Sequence, residues 1–99
     1  MNKLDLQIKS VAINDMEKIA DFIAKDNINS AKELLQDFYK YFNALCQFPN
    51  LGHIRKDFTH HNVRFLQVRQ NYVVVYNIKN IAICILRVLS NYQEICNQL

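Results

Sequence analysis

The residues best suited to chemistry are gathered in the second half of the chain. All four arginines and all three histidines lie after residue 50. Residues 51–99 contain six basic and two acidic residues, a net charge of +4, whereas residues 1–50 contain six lysines and seven acidic residues, a net charge of −1. Arginine is suited to bidentate contact with phosphates and carboxylates. This half therefore indicates a nucleic acid or an acidic protein as partner, although a solubilising surface would carry the same charge.

One chemistry open to these residues is metal-independent RNA cleavage, which needs cations around the phosphate and a general acid or base. The candidates are Arg55, Lys56, His60, His61, Arg64, Arg87 and Tyr92. Arg64 and Arg87 fall on different predicted strands and could converge on a phosphate, with Tyr92 acting near the end of the last strand. No cofactor is expected. No metal site is expected either, because the neighbouring His60 and His61 would point to opposite faces and no cluster completes a ligand set.

Arg87 is a special case because it interrupts an apolar segment. A buried guanidinium needs a carboxylate or phosphate partner. One alternative is an internal salt bridge to Glu17, Asp21 or Asp57, and the other is contact with a binding partner.

Two helices follow a first strand in the predicted order of elements. Alternation at Leu4, Leu6 and Ile8 predicts the strand. Helical spacing of Met16, Ile19, Ala20 and Ile23 predicts a helix capped by Asn14, with Glu17 as its capping-box partner. A second helix, capped by Asn29 or Ser30 and ending at Pro49, has an apolar stripe of Ala31, Leu34, Leu35, Phe38, Phe42, Leu45 and Phe48.

Three strands should follow, over residues 63–68, 72–76 and 81–89, joined by tight turns. Tyr72 and Tyr76 share a face and are expected to pack in the core, the alternative being a platform on which bases stack. The whole chain, residues 1–99, is then one α+β domain of order β-α-α-β-β-β, with a helical hairpin on one face of an antiparallel sheet. The last strand is apolar on both faces, so a C-terminal segment or a partner chain should cover part of the second face.

Other features narrow the class of protein. Cys46, Cys84 and Cys96 form no metal-binding or disulfide pattern and are expected to be reduced thiols in the core. No apolar stretch approaches the length of a membrane span, and the N-terminus does not resemble a signal peptide. We therefore expect a cytoplasmic protein without a membrane partner.

Several short motifs resemble those of the RelE/ParE toxins of type II toxin–antitoxin systems. Residues 15–24 resemble the signature of the first helix, and residues 27–31 resemble the turn that follows it. Phe48-Pro49-x-x-Gly52-x-x-Arg55 resembles the family's "P..G..R" loop. Residues 63–66, 72–76 and 85–89 resemble its three C-terminal strands, in order.

The resemblance implies the β-α-α-β-β-β fold and a toxin neutralised by a cognate antitoxin, in a heterodimer or a higher hetero-oligomer. It also implies growth arrest and plasmid stabilisation. The antitoxin's C-terminal tail would wrap the toxin and could supply the missing cover of the sheet. Function still depends on the site and not on the fold.

The family has two branches with different targets. RelE-like members are ribosome-dependent endoribonucleases that cleave mRNA, and ParE-like members inhibit DNA gyrase without being nucleases. The loop motif, the Leu-Arg-Val-Leu strand and the sparse basic set resemble the ParE-like branch, and Ser90 stands where many of its members have His. We therefore favour a gyrase inhibitor that is not an enzyme, with the RelE-like RNase acting through Arg64, Arg87 and Tyr92 as the alternative. The residues expected to contact the target or the antitoxin are Arg55, Lys56, Arg64, Arg69 and Arg87.

Overall fold

The computed structural model describes residues 3–55 and 62–90. Its elements in chain order are β1 (Asp5–Ile8), α1 (Ser10–Ala24), α2 (Ile28–Gln47), β2 (Arg64–Val68), β3 (Tyr72–Lys79) and β4 (Ala82–Leu89). The strands form one sheet in the order β1-β4-β3-β2. The predicted α+β architecture and the order β-α-α-β-β-β are confirmed.

The sheet is mixed because its first strand runs parallel to its neighbour. The meander of β2, β3 and β4 is antiparallel, as predicted. β1 instead pairs with β4 in parallel, with Asp5 opposite Ala82 and Ile8 opposite Ile85. Tight turns allow only antiparallel pairs, whereas the long path from β1 through both helices to β4 allows a parallel one.

Both helices begin earlier than the sequence predicted. α1 starts at Ser10, and its N-cap Lys9 makes no side-chain capping bond. The Lys9 N–H donates to the Ile85 carbonyl, while its carbonyl accepts from Ala12, so strand and helix meet at one residue. The predicted cap at Asn14 is therefore wrong.

The N-cap of α2 also differs from the prediction. It is Asn27, whose Oδ1 accepts from the Ser30 N–H at 3.1 Å, and neither Asn29 nor Ser30 has this role.

The main core lies between the two helices and one face of the sheet. The stripe of α2 contributes its side chains as predicted, although Leu35 is half-buried and Phe48 is exposed. Tyr76 is fully buried and Tyr72 packs edge-on against Phe38, which confirms that both tyrosines pack in the core.

The second face of the sheet carries a smaller apolar cluster. Its buried members are Val63, Phe65, Val73, Val75 and Leu89, with Leu86 packed against them. These side chains are buried within the chain itself, so this part of the face does not depend on a partner for cover.

Two of the three cysteines lie within the described residues. Cys46 and Cys84 are buried free thiols, as predicted, and burial raises the pKa of Cys46. Cys96 lies outside the described residues. Among the helices that the structure describes, none combines the length and apolar character needed to cross a membrane.

Candidate functional site

The loop that follows α2 is fastened to the sheet by the Tyr76 hydroxyl. This hydroxyl donates to the Pro49 carbonyl at 2.8 Å and accepts from the Gly52 N–H at 2.8 Å. The Gly52 carbonyl in turn accepts from Nη1 of Arg64 at 2.9 Å. The side chain of His53 is exposed, whereas its backbone pairs with Phe65 on β2. The His53 N–H donates to the Phe65 carbonyl, and the Phe65 N–H donates to the His53 carbonyl, both at 2.8 Å. The Tyr76 hydroxyl thus holds the Pro-x-x-Gly motif in place, and the Gly52 carbonyl of this motif positions Arg64.

Gly52 is required here because its backbone lies against a buried ring. A Cβ at this position would lie 2.7 Å from Cε1 of Tyr76, 2.8 Å from its hydroxyl and 3.0 Å from the Phe65 carbonyl oxygen. Burial raises the pKa of Tyr76, which keeps the phenol protonated and able to donate to Pro49.

Arg64 lines a cavity at the free end of β3. The strand register pairs Arg64 with Tyr76, so residues 77–79 of β3 extend beyond β2. The cavity has a volume of about 330 Å³ and is lined by Ile54, Asn62, Arg64, Asn77, Ile78 and Lys79. We call it the β3 notch.

Arg87, on β4, is held by a carboxylate of α1. Its Nε donates to Oδ2 of Asp15 at 2.8 Å, and its Nη2 donates to Oδ1 at 3.0 Å. Asp15 also accepts from the Val88 N–H at 3.0 Å. The side chains of Arg87 and Asp15 are only 21% and 13% exposed. Of the two alternatives for Arg87, the internal salt bridge is present, and its partner Asp15 is none of the three carboxylates named from the sequence.

The two arginines expected to converge are held apart. Arg87 lines a cleft of about 220 Å³ with Asp15, Lys18, Ile19, Val88, Leu89 and Ser90, none of which lines the β3 notch. β3 separates their strands, which places the two backbones about 10 Å apart. Among the described residues, the two side chains therefore line separate cavities and do not share one.

The other predicted site residues are dispersed. Arg69 lies in the β2–β3 turn with a φ of 55°, and its Nε donates to Oδ2 of the exposed Asp37 at 2.9 Å. Arg55 is half-buried in the loop after α2. Lys56, Asp57, His60, His61 and Tyr92 lie outside the described residues. Within residues 3–55 and 62–90, no three His, Cys, Asp or Glu side chains are grouped as a metal site would require.

Asp15 is the site residue that sequence reasoning missed. The prediction placed this residue at the start of α1, next to the supposed cap. The helix in fact begins at Ser10, which places Asp15 in its second turn beside the end of β4. Had Lys9 been recognised as the last residue paired with β4, the position of Asp15 could have been anticipated.

A family model covers most of the chain. The model described as "ParE toxin of type II toxin-antitoxin system, parDE" matches residues 6–94. No curated protein sequence is significantly similar to the chain.

Solved structures share the fold. A chain in the chromosomal ParDE toxin–antitoxin system from P. aeruginosa superposes with a TM-score of 0.73 at 23% identity, covering 89% of this chain and 96% of that one. A chain in the RelBE2 toxin–antitoxin complex from Mycobacterium tuberculosis superposes with a TM-score of 0.59 at 17% identity, covering 93% of this chain and 95% of that one. At these identities the likeness shows the fold alone.

Proposed function

This chain belongs to the ParE toxin family of type II toxin–antitoxin systems, and we propose that it acts by binding and inhibiting DNA gyrase. A cognate antitoxin neutralises it in a heterodimer or a higher hetero-oligomer, in the cytoplasm. Release of the toxin then arrests growth, which would stabilise a plasmid that carries the pair. On this proposal the protein is a binding inhibitor and not an enzyme.

The separation of Arg64 from Arg87 is the observation that supports binding over cleavage. Metal-free RNA cleavage needs cationic groups and a proton-transfer group close to one phosphate. Here Arg64 lines the β3 notch, while Arg87 lies in another cleft and is paired with Asp15. This arrangement favours recognition by separate basic residues over a single catalytic centre.

The contact residues of this proposal are Arg55, Lys56, Arg64, Arg69 and Arg87. Arg69 is the most accessible of those that the structure describes, with a side chain 44% exposed at a turn. Arg87 would reach a target or an antitoxin carboxylate through the cleft that it shares with Lys18. Electrostatic contacts of this kind set the rate of association and the orientation of the complex.

Gyrase supercoiling provides the test. Purified full-length chain, added in excess to gyrase and relaxed plasmid, should abolish supercoiling, and addition of the antitoxin should restore it. Arg69→Ala should weaken inhibition, while Lys40→Ala on the exposed surface of α2 should not. Normal supercoiling at a large excess of folded toxin would rule out gyrase as the target.

The alternative target is mRNA on the ribosome. A translation reaction run beside the supercoiling assay and analysed by primer extension should leave the transcript intact. Codon-positioned cuts that Arg64→Ala and Tyr92→Phe both abolish would instead establish the RelE-like endoribonuclease.

A further inference from the structure

The β3 notch has the features of a small-ligand site, and it shares Arg64 with the proposed contact surface. β3 has eight residues and β2 has five, and their register leaves Asn77, Ile78 and Lys79 without a β2 partner among the described residues. The same three residues remain paired with β4, so the floor of the notch is a fixed strand. Its volume, about 330 Å³, lies at the lower end of the range for small-ligand pockets.

Two cations border the notch from different strands. Nη1 of Arg64 donates to the Gly52 carbonyl, which orients the guanidinium at the rim. A guanidinium has five N–H donors, and no other acceptor among the described residues engages those of Arg64. Lys79 is exposed on the adjacent strand. An oxyanion between Arg64 and Lys79 would receive charge-assisted hydrogen bonds from both.

An acceptor in the notch lacks a donor. Oδ1 of Asn77 is buried and has no hydrogen-bond partner within the described part of the chain. A buried acceptor without a partner is costly, so a ligand N–H or O–H at this point would be favoured. Ile54 and Ile78, which are 48% and 42% exposed, add an apolar wall.

We infer that the β3 notch binds a nucleoside monophosphate. The phosphate lies between Arg64 and Lys79, the flat face of the base lies on Ile54 and Ile78, and Asn77 accepts a hydrogen bond from the base or the ribose. Inorganic phosphate shares the charge but offers neither an apolar face nor a second donor group. The inference does not depend on whether gyrase is the target, because it concerns the free chain.

Titration of the full-length chain followed by amide chemical shifts tests this site. The probes are the four ribonucleoside 5′-monophosphates, their nucleosides and inorganic phosphate. At least one monophosphate should bind about tenfold more tightly than both its nucleoside and inorganic phosphate, with shifts at residues 62–64 and 77–79. Lys79→Ala should weaken binding of that nucleotide about tenfold, and Lys40→Ala should leave it unchanged.

Asn77→Ala separates recognition of the base or ribose from recognition of the phosphate. It should reduce the preference for nucleotide over inorganic phosphate while leaving the affinity for phosphate itself unchanged. The inference is overturned if Lys79→Ala binds like the parent, if inorganic phosphate binds as tightly as every monophosphate, or if the shifts map elsewhere. Binding of single-stranded RNA at these residues without binding of any monophosphate would equally overturn it.

Discussion

The carboxylate of Asp15 holds Arg87 through both of its oxygens and also accepts the Val88 N–H. β1 ends at Ile8, which pairs with Ile85, so β4 has no β1 partner after Ile85. At this edge the Asp15 carboxylate takes the place of a neighbouring strand by accepting the Val88 N–H. One carboxylate thereby joins α1 to the end of the sheet.

Removing this carboxylate should lower the free energy of unfolding. We expect Asp15→Ala to cost about 2–3 kcal/mol, because it takes away one carboxylate acceptor from a largely buried guanidinium and from the buried Val88 N–H. Arg87→Ala should cost less, since Asp15 keeps its bond to Val88. Urea denaturation of both single variants and the double variant measures the coupling.

Asp21→Ala is the matched control for Asp15→Ala. It removes an exposed carboxylate from the same helix and should change stability by about 0.5 kcal/mol or less. Equal costs for the two variants, or additive effects of Asp15→Ala and Arg87→Ala, would contradict a specific role for the pair.

Gly52→Ala should destabilise the protein through steric overlap. The added methyl would lie 2.7 Å from the ring of Tyr76, which is fully buried and cannot move aside. Overpacking of this kind costs about 1–3 kcal/mol. Thermal unfolding checks the loss, and an unchanged midpoint would show that the loop is not held against Tyr76.

The raised pKa of Tyr76 predicts a loss of stability in alkali. In the folded chain the pKa of this phenol lies above its usual value of 10.0, which applies to the unfolded chain. At a pH between these two pKa values, the unfolded chain releases the proton and the folded chain keeps it. Its contribution is therefore fully present below about pH 10 and falls as the pH rises towards the folded pKa. Denaturation at pH 8 and pH 10.5 should show a smaller decline for Tyr76→Phe than for the parent.

Tyr72→Phe serves as the control for this experiment. The Tyr72 ring packs on Phe38, and its hydroxyl makes no hydrogen bond to another described residue. It should lose stability with pH as the parent does. A decline in Tyr76→Phe as large as in the parent would mean that another group causes it.

The periodicity of the sequence was sufficient to predict the elements and their order, because burial on one face imposes a local pattern. It could not predict that β1 pairs with β4 in parallel, since that choice depends on two segments more than 70 residues apart in the chain. The partner of Arg87 was missed for the same reason, as Asp15 lies 72 residues away. Gly52 was recognisable as a break, but its close approach to Tyr76 exists only in the folded chain.

The position of the α2 N-cap can be tested with two variants. Asn27→Ala removes the side chain that accepts the Ser30 N–H and should cost about 1 kcal/mol. Asn29→Ala, two residues later within the helix, should have little effect. Urea denaturation distinguishes them, and the reverse ranking would place the cap where the sequence had suggested it.

Arg69 allows a contribution to function to be separated from one to stability. Its ion pair with Asp37 joins side chains that are 44% and 38% exposed, and such surface pairs contribute little to stability. Arg69→Ala should therefore unfold like the parent, within about 0.5 kcal/mol. If Arg69 contacts the target, induction of Arg69→Ala without antitoxin should nevertheless arrest growth less than induction of the parent does. Colony counts after induction measure this, with Lys40→Ala as the control for loss of one surface charge. Full toxicity of a stable Arg69→Ala would remove Arg69 from the target surface and leave the basic contacts to Arg55, Lys56, Arg64 and Arg87.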